Sequence, residues 1–128
     1  MGFQQRGTIE ELAGALARAL AGTAALLVAS TDLSHYFDRA RAAALDARVI
    51  ECVRRFDPDA LLAEFERYPE DQRGRYVACG GGPLISVMAA ARDLGARRTD
   101  VLKYADSGDI SGETEAVVGY LAAAMRRG

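Results

Sequence analysis

One histidine, two cysteines, three prolines and an aromatic content of only 7% define what this 128-residue chain lacks. With His35 alone, the chain cannot assemble a multi-histidine metal site by itself, and any imidazole chemistry it performs must use that residue. Scarce aromatics leave the core to Ala, Leu and Val, within an apolar content of 50%. Cys52 and Cys79 lie far apart in different contexts, a usage that suits a reducing compartment better than a disulfide scaffold. No apolar run approaches the roughly 20 residues needed to cross a bilayer. The start, Met1 to Arg6, carries no secretory apolar segment. A cytoplasmic protein that spans no membrane is therefore expected. The formal charge is -2, from 16 basic and 18 acidic residues spread along the sequence, which gives nothing to steer it toward nucleic acid or an acidic lipid surface.

What is present is an alternation of helix and strand signals across one domain's length, 1–128, enough to remove roughly two-thirds of the unfolded surface from water. Thr8-Ile9-Glu10-Glu11 has capping-box spacing, predicting a helix from about Ile9 to Leu20 that ends near Gly22. The apolar run Ala24 to Ala29 is too short for a comparable helix and reads as a buried strand, followed by a polar loop over residues 30–37. Asp38 suits the N-cap of a long helix, on which Leu45, Val49, Val53 and Phe56 form one apolar stripe and Arg39, Arg41, Arg48, Arg54 and Arg55 a solvated face. Asp57-Pro58 ends it and starts another helix through Leu61, Leu62 and Phe65. Tyr68 to Gly74 reads as a surface connection. Cys79 is expected at a strand end, before Gly80-Gly81-Gly82-Pro83 and an apolar helix from about Leu84 to Leu94. A strand over Asp100 to Ala105, a loop over residues 106–112 and a further strand over Ala116 to Met125 complete an α/β unit with a mixed or mostly parallel sheet flanked by helices.

The chemistry concentrates at two places. Asp32 and His35 stand three apart in a loop after the first strand, where open α/β sheets bind ligands, and a carboxylate at that distance can orient an imidazole as a general base or a metal-facing group. The alternative is that Asp32 caps a turn and His35 is a half-buried residue bonded to backbone. Cys79, before a glycine-rich turn and a helix N-terminus, is well placed to be a thiolate, or else is an inert buried thiol. Cys52 reads as structural, on a helix face beside Val53. A thiolate near an imidazole permits soft metal ligation or nucleophilic catalysis, and spacing does not choose between them. The three glycines carry no complete phosphate-loop motif and read as a tight turn. Ser107-Gly108-Asp109-Ile110-Ser111-Gly112 reads either as a rim loop at the same sheet edge or as a plain turn.

Taken in order, Leu26-Leu27-Val28-Ala29-Ser30-Thr31-Asp32-Leu33-Ser34-His35-Tyr36, then Ala78-Cys79-Gly80 leading through Pro83 into a helix, then Tyr104-Ala105-Asp106-Ser107-Gly108-Asp109, then Val117-Val118-Gly119-Tyr120, the chain resembles the Memo family. That family includes bacterial proteins labelled AmmeMemoRadiSam system protein B and is related in fold to class III extradiol dioxygenases. The resemblance covers roughly residues 8 to 125. It implies a pocket at the sheet edge in which iron or copper is held by two histidines and a cysteine. Cys79 matches the cysteine ligand, and Asp32 and His35 match the pair beside the metal, where a dioxygenase relative uses the histidine as acid/base. Memo proteins are about twice as long, and their two metal-binding histidines belong to an amino-terminal half without counterpart here. The chain thus resembles a carboxyl-terminal half whose metal site is incomplete, expected to self-associate or to dock with the missing half. Two other functions stay open: a non-catalytic module binding a protein or peptide partner through the same pocket, and a hydrolase using Cys79 as nucleophile with His35 and Asp32.

Overall fold

The computed structural model describes Gly2 and residues 4–128. Its elements run α1 (Arg6–Leu20), β1 (His35–Phe37), α2 (Arg39–Arg54), α3 (Pro58–Glu66), α4 (Arg73–Tyr76), α5 (Gly81–Asp93), β2 (Arg98–Asp106), α6 (Gly108–Ser111) and β3 (Val117–Arg126). The strands form a three-stranded sheet in the order β1-β3-β2 with helices packed against it.

Both strand pairings are antiparallel, which corrects the expectation of a mixed or mostly parallel sheet. The connection from β2 to β3 carries only the single turn of α6, too short for the crossover of a dozen or more residues that parallel strands require. The second correction concerns Ala24 to Ala29. The segment pairs with no strand among the described residues, and Leu26 and Val28 are 88% and 74% exposed. Its apolar sequence suits a strand covered on both faces, yet strand status needs a hydrogen-bonded neighbour, and sequence pattern cannot supply one.

Helix starts follow the local chemistry closely where an aspartate is available. The Asp38 carboxylate accepts from Arg41 N at 3.0 Å and that of Asp57 from Ala60 N at 2.9 Å, capping α2 and α3, with Pro58 in the first turn of α3. At α1 the expected capping box is not used. The helix begins at Arg6, whose guanidinium bonds Glu66 at 3.1 and 2.7 Å and so ties the first turn to α3. Tertiary contact has moved the start two to three residues upstream.

The core gathers Ile9, Leu33, Val49, Val53, Leu61, Phe65, Val77 and Met88, each at most 2% exposed. Burying a side chain of this size contributes about 1.5–3 kcal/mol. The core is aliphatic as expected, apart from Phe65 at its centre and Phe37 in a smaller cluster with Ala42 and Val117. The glycine run has a packing reason: a Cβ on Gly81 would collide with the Phe65 ring, so glycine lets α5 lie against α3. The arginine face of α2 is less solvated than its sequence suggests. Arg48 makes a two-pronged pair with Glu64 at 2.7 and 2.9 Å, and Arg39 another with Asp106 at 2.8 and 2.6 Å.

Candidate metal centre

The loop carrying Thr31 to Ser34 is held from three sides. Leu33 N donates to Gly119 O at 2.8 Å, Gly119 N donates to Ser34 O at 3.1 Å, and Ser34 N donates to the buried Asp46 carboxylate at 2.9 Å. Leu33 packs into the core beneath it. The chain then enters β1 through Tyr36, which takes a positive φ of 63° where the register against β3 shifts. A bulky residue in the left-handed region is unusual, and such an irregularity re-aims neighbouring side chains. Tyr36 is exposed, while the side chain of His35 is only 18% exposed.

Cys79 reaches the same place from a different part of the sequence. It follows α4 and the buried pair Val77 and Ala78, not a strand as expected, and precedes Gly80, the N-terminal flank of α5. Gly80 N donates to Thr31 Oγ1 at 2.7 Å, and a Cβ on Gly80 would stand 2.9 Å from Ser30 O and from Thr31 Oγ1. Glycine is therefore required for the cysteine turn to abut the loop. Asp32 N donates to Cys79 Sγ at 3.4 Å, and Thr31 Oγ1 lies 3.7 Å from the sulfur. On the far side, Gln4 straps the turn, donating to Cys79 O at 3.1 Å and accepting from Gly82 N at 2.8 Å.

Asp32, His35 and Cys79 thus offer one carboxylate oxygen, one imidazole nitrogen and one sulfur, all within 4.8 Å of one another. His35 Nε2 stands 3.9 Å from Asp32 Oδ2, outside hydrogen-bond reach, and His35 Nδ1 is buried without a partner among the described residues. Donors of a tetrahedral site at about 2.0–2.3 Å from the metal lie roughly 3.5 Å apart. The three would have to draw in by about an ångström to share an ion. The sulfur is exposed and free, whereas Cys52 is part-buried against the core with its thiol pushed up by burial, in keeping with a structural role.

Of the residues that set this geometry, Thr31, Gly80 and Gly119 lie inside motifs the sequence singled out, without any sign that they touch one another, whereas Asp46 did not stand out, and no sequence signal links it, 12 residues beyond Ser34, to that loop. The 107–112 segment forms α6 and its flanks, and its Asp109 carboxylate bonds Arg39 and Asp106 N.

A family profile described as Memo-like protein matches residues 1–124. A MEMO1 family protein of Methanosarcina mazei is 37% identical over 124 residues, which is 95% of this chain and 44% of that protein. One from Methanopyrus kandleri is 38% identical over 103 residues, 80% of this chain and 34% of the relative. One from Nitrosopumilus maritimus is 33% identical over 111 residues, 87% and 38% respectively. The fold is that of a mixed α/β protein, and its loop-cysteine cluster gathers three side chains of metal-ligating type. The chain belongs to the Memo-like protein family. It spans less than half the length of these curated relatives.

Proposed function

We propose that the chain supplies Cys79, His35 and Asp32 to a mononuclear iron or copper centre, as the carboxyl-terminal half of a Memo-like protein with a class III extradiol dioxygenase-like arrangement. In this reading it is a single, partial α/β domain. The observation that carries the proposal is the convergence of three donor side chains from two separate loops within 4.8 Å. The donor set supports a first-row ion: a thiolate and an imidazole suit copper or iron, and the carboxylate adds a harder oxygen. Such a metal would supply Lewis-acid or redox chemistry when bound. Three donors leave coordination positions for ligands from the rest of a full-length protein.

Each residue has a distinct part. Cys79 is the anchoring ligand, its sulfur already accepting the Asp32 N–H. His35, with neither ring nitrogen hydrogen-bonded among the described residues, is free to ligate or to move a proton at Nε2. Asp32, nearer to solvent, places its carboxylate 3.9 Å from Nε2, where it can orient the ring or offer a further oxygen donor. The hydrolase alternative is less well supported, because the sulfur is bonded to the Asp32 N–H and approached by Thr31, with no hydrogen bond from the imidazole. We assign a cytoplasmic location on the two free cysteines, a usage that suits a reducing compartment.

The test is anaerobic titration of the purified chain with Fe(II), and separately with Cu(I). One equivalent should bind weakly, Cys79→Ser should lower affinity at least a hundredfold, and acid should weaken binding as protons compete for the sulfur and imidazole. Unchanged affinity in Cys79→Ser refutes the proposal.

A further inference from the structure

A groove of about 770 Å³ runs between the extended segment Thr23 to Ala29 and β3, floored by Leu84, Val87 and Ala91 of α5 and walled by Leu27, Leu121 and Ala123. Both long walls are backbone edges without partners. Beyond Gly119, where the β1 loop stops bonding, β3 is paired only on its β2 side, so alternate N–H and C=O groups from Tyr120 to Met125 face the groove with no backbone partner among the described residues. Opposite them, no N–H or C=O from Ala24 to Thr31 makes a hydrogen bond among the described residues. Backbone groups lying against an apolar floor are strongly driven to find partners.

We infer that this groove receives a single aliphatic β-strand, inserted between Ala24–Ala29 and β3, and that the strand comes from the polypeptide making up the remaining length of Memo relatives. Four observations fix the occupant. The floor is apolar and α-helical, as under a central strand of an α/β sheet. The run Ala24 to Ala29 has the uncharged sequence of a strand paired on an inner position, yet all of it but Leu27 and Ala29 is exposed here. The chain represents only 44% of the Methanosarcina mazei relative, so more than half of such a protein is available to supply the strand. A second copy of the chain is a poorer donor, because its β1, β2 and β3 are already paired and its unpartnered extended segment is itself a wall of the groove. Main-chain bonding on both edges is the strand-addition mode of recognition, doubled.

The position of the groove gives the insertion a consequence. Its lining reaches Thr31, whose hydroxyl approaches Cys79, so one end of the inserted strand emerges beside the Asp32, His35 and Cys79 cluster. The inference stands on different residues from the metal proposal and can fail separately.

Amide hydrogen exchange tests it in two settings. In this chain alone, the groove-facing amides of Tyr120 to Met125 and those of Ala24 to Ala29 should exchange freely. In the intact Methanosarcina mazei relative the matching amides should exchange at least tenfold more slowly. Synthetic 12-residue peptides tiled across the unmatched part of that relative should include one that slows both walls of this chain together. Val28→Pro or Ala25→Pro, at exposed positions, should weaken that peptide at least tenfold where the removed N–H faces the groove. Free exchange of the matching amides in the intact relative overturns the inference. Protection of one wall only overturns it as well. So does a concentration-dependent dimer of the chain alone that protects both walls, which would make a second copy the occupant.

Discussion

Tyr104 Oη donates to Asp46 Oδ2 at 2.7 Å, joining β2 to a carboxylate on α2 that is fully buried and that also accepts Ser34 N at 2.9 Å. One side chain therefore fastens the sheet, the long helix and the candidate metal loop together. Burial first, and the Asp46 carboxylate second, push the Tyr104 phenol far above its usual range, keeping it a donor at any physiological pH. A Cβ on Gly119 would collide with the same carboxylate, so glycine at that position leaves room for it.

Asp46→Ala leaves the Tyr104 hydroxyl and the Ser34 N–H without their partner, at about 1–3 kcal/mol for each unsatisfied group. A stability loss of about 2–6 kcal/mol is expected in urea denaturation, with Tyr104→Phe losing about 1 kcal/mol. Equal losses in the two variants would mean that Asp46 does not hold the loop. Because the folded-state phenol titrates above the unfolded one, the stability it contributes is present below pH about 10 and declines as pH rises further, and Tyr104→Phe should lack that decline.

Gly80→Ala should strike the site more than the fold. The added methyl group meets Ser30 O and Thr31 Oγ1 at 2.9 Å and pushes the loop from the cysteine turn. Affinity for Fe(II) or Cu(I) should fall at least tenfold while the thermal midpoint drops by only a few degrees. Intact metal affinity would show that Thr31 and Gly80 do not position Cys79.

The caps differ in what they contribute. Asp38→Ala and Asp57→Ala each remove a bonded N-cap and should cost about 1 kcal/mol. Thr8→Ala, in a capping-box sequence that the helix does not use as a cap, should change stability by less than about 0.5 kcal/mol. Denaturant midpoints on the three variants separate local sequence signal from structural use.

The Arg39 guanidinium bonds Asp106 and holds its carboxyl below the usual carboxylate range. A depressed folded-state value adds stability that is present above the unfolded value near 3.9 and is lost as pH falls through the folded one. Arg39→Gln should therefore lower the thermal midpoint most at neutral pH. The gap from the unmodified chain should narrow as pH falls below about 4, and a gap independent of pH would assign no linkage to the pair.

The Memo relationship was carried by four short motifs, and the profile match over residues 1–124 bears it out. Helix boundaries with an aspartate cap were readable too, because Asp38 and Asp57 act on N–H groups three residues away and need nothing distant. The aliphatic core and the two C-terminal strands followed from side-chain type and period.

Pairing, in contrast, was decided only in three dimensions. Sequence marked Ala24 to Ala29 as extended and apolar, but a strand is defined by its neighbour, and the described residues supply none, so the segment stands open beside the free edge of β3. The same holds for the site: the residues of the Asp32–His35 loop and of the Cys79 turn are local facts. Their approach to within 4.8 Å depends on Gly80 fitting against Thr31, and the loop itself is anchored by Asp46 and Gly119. Those contacts join residues 12 to 86 positions apart, and no local rule of chain chemistry reaches across such separations.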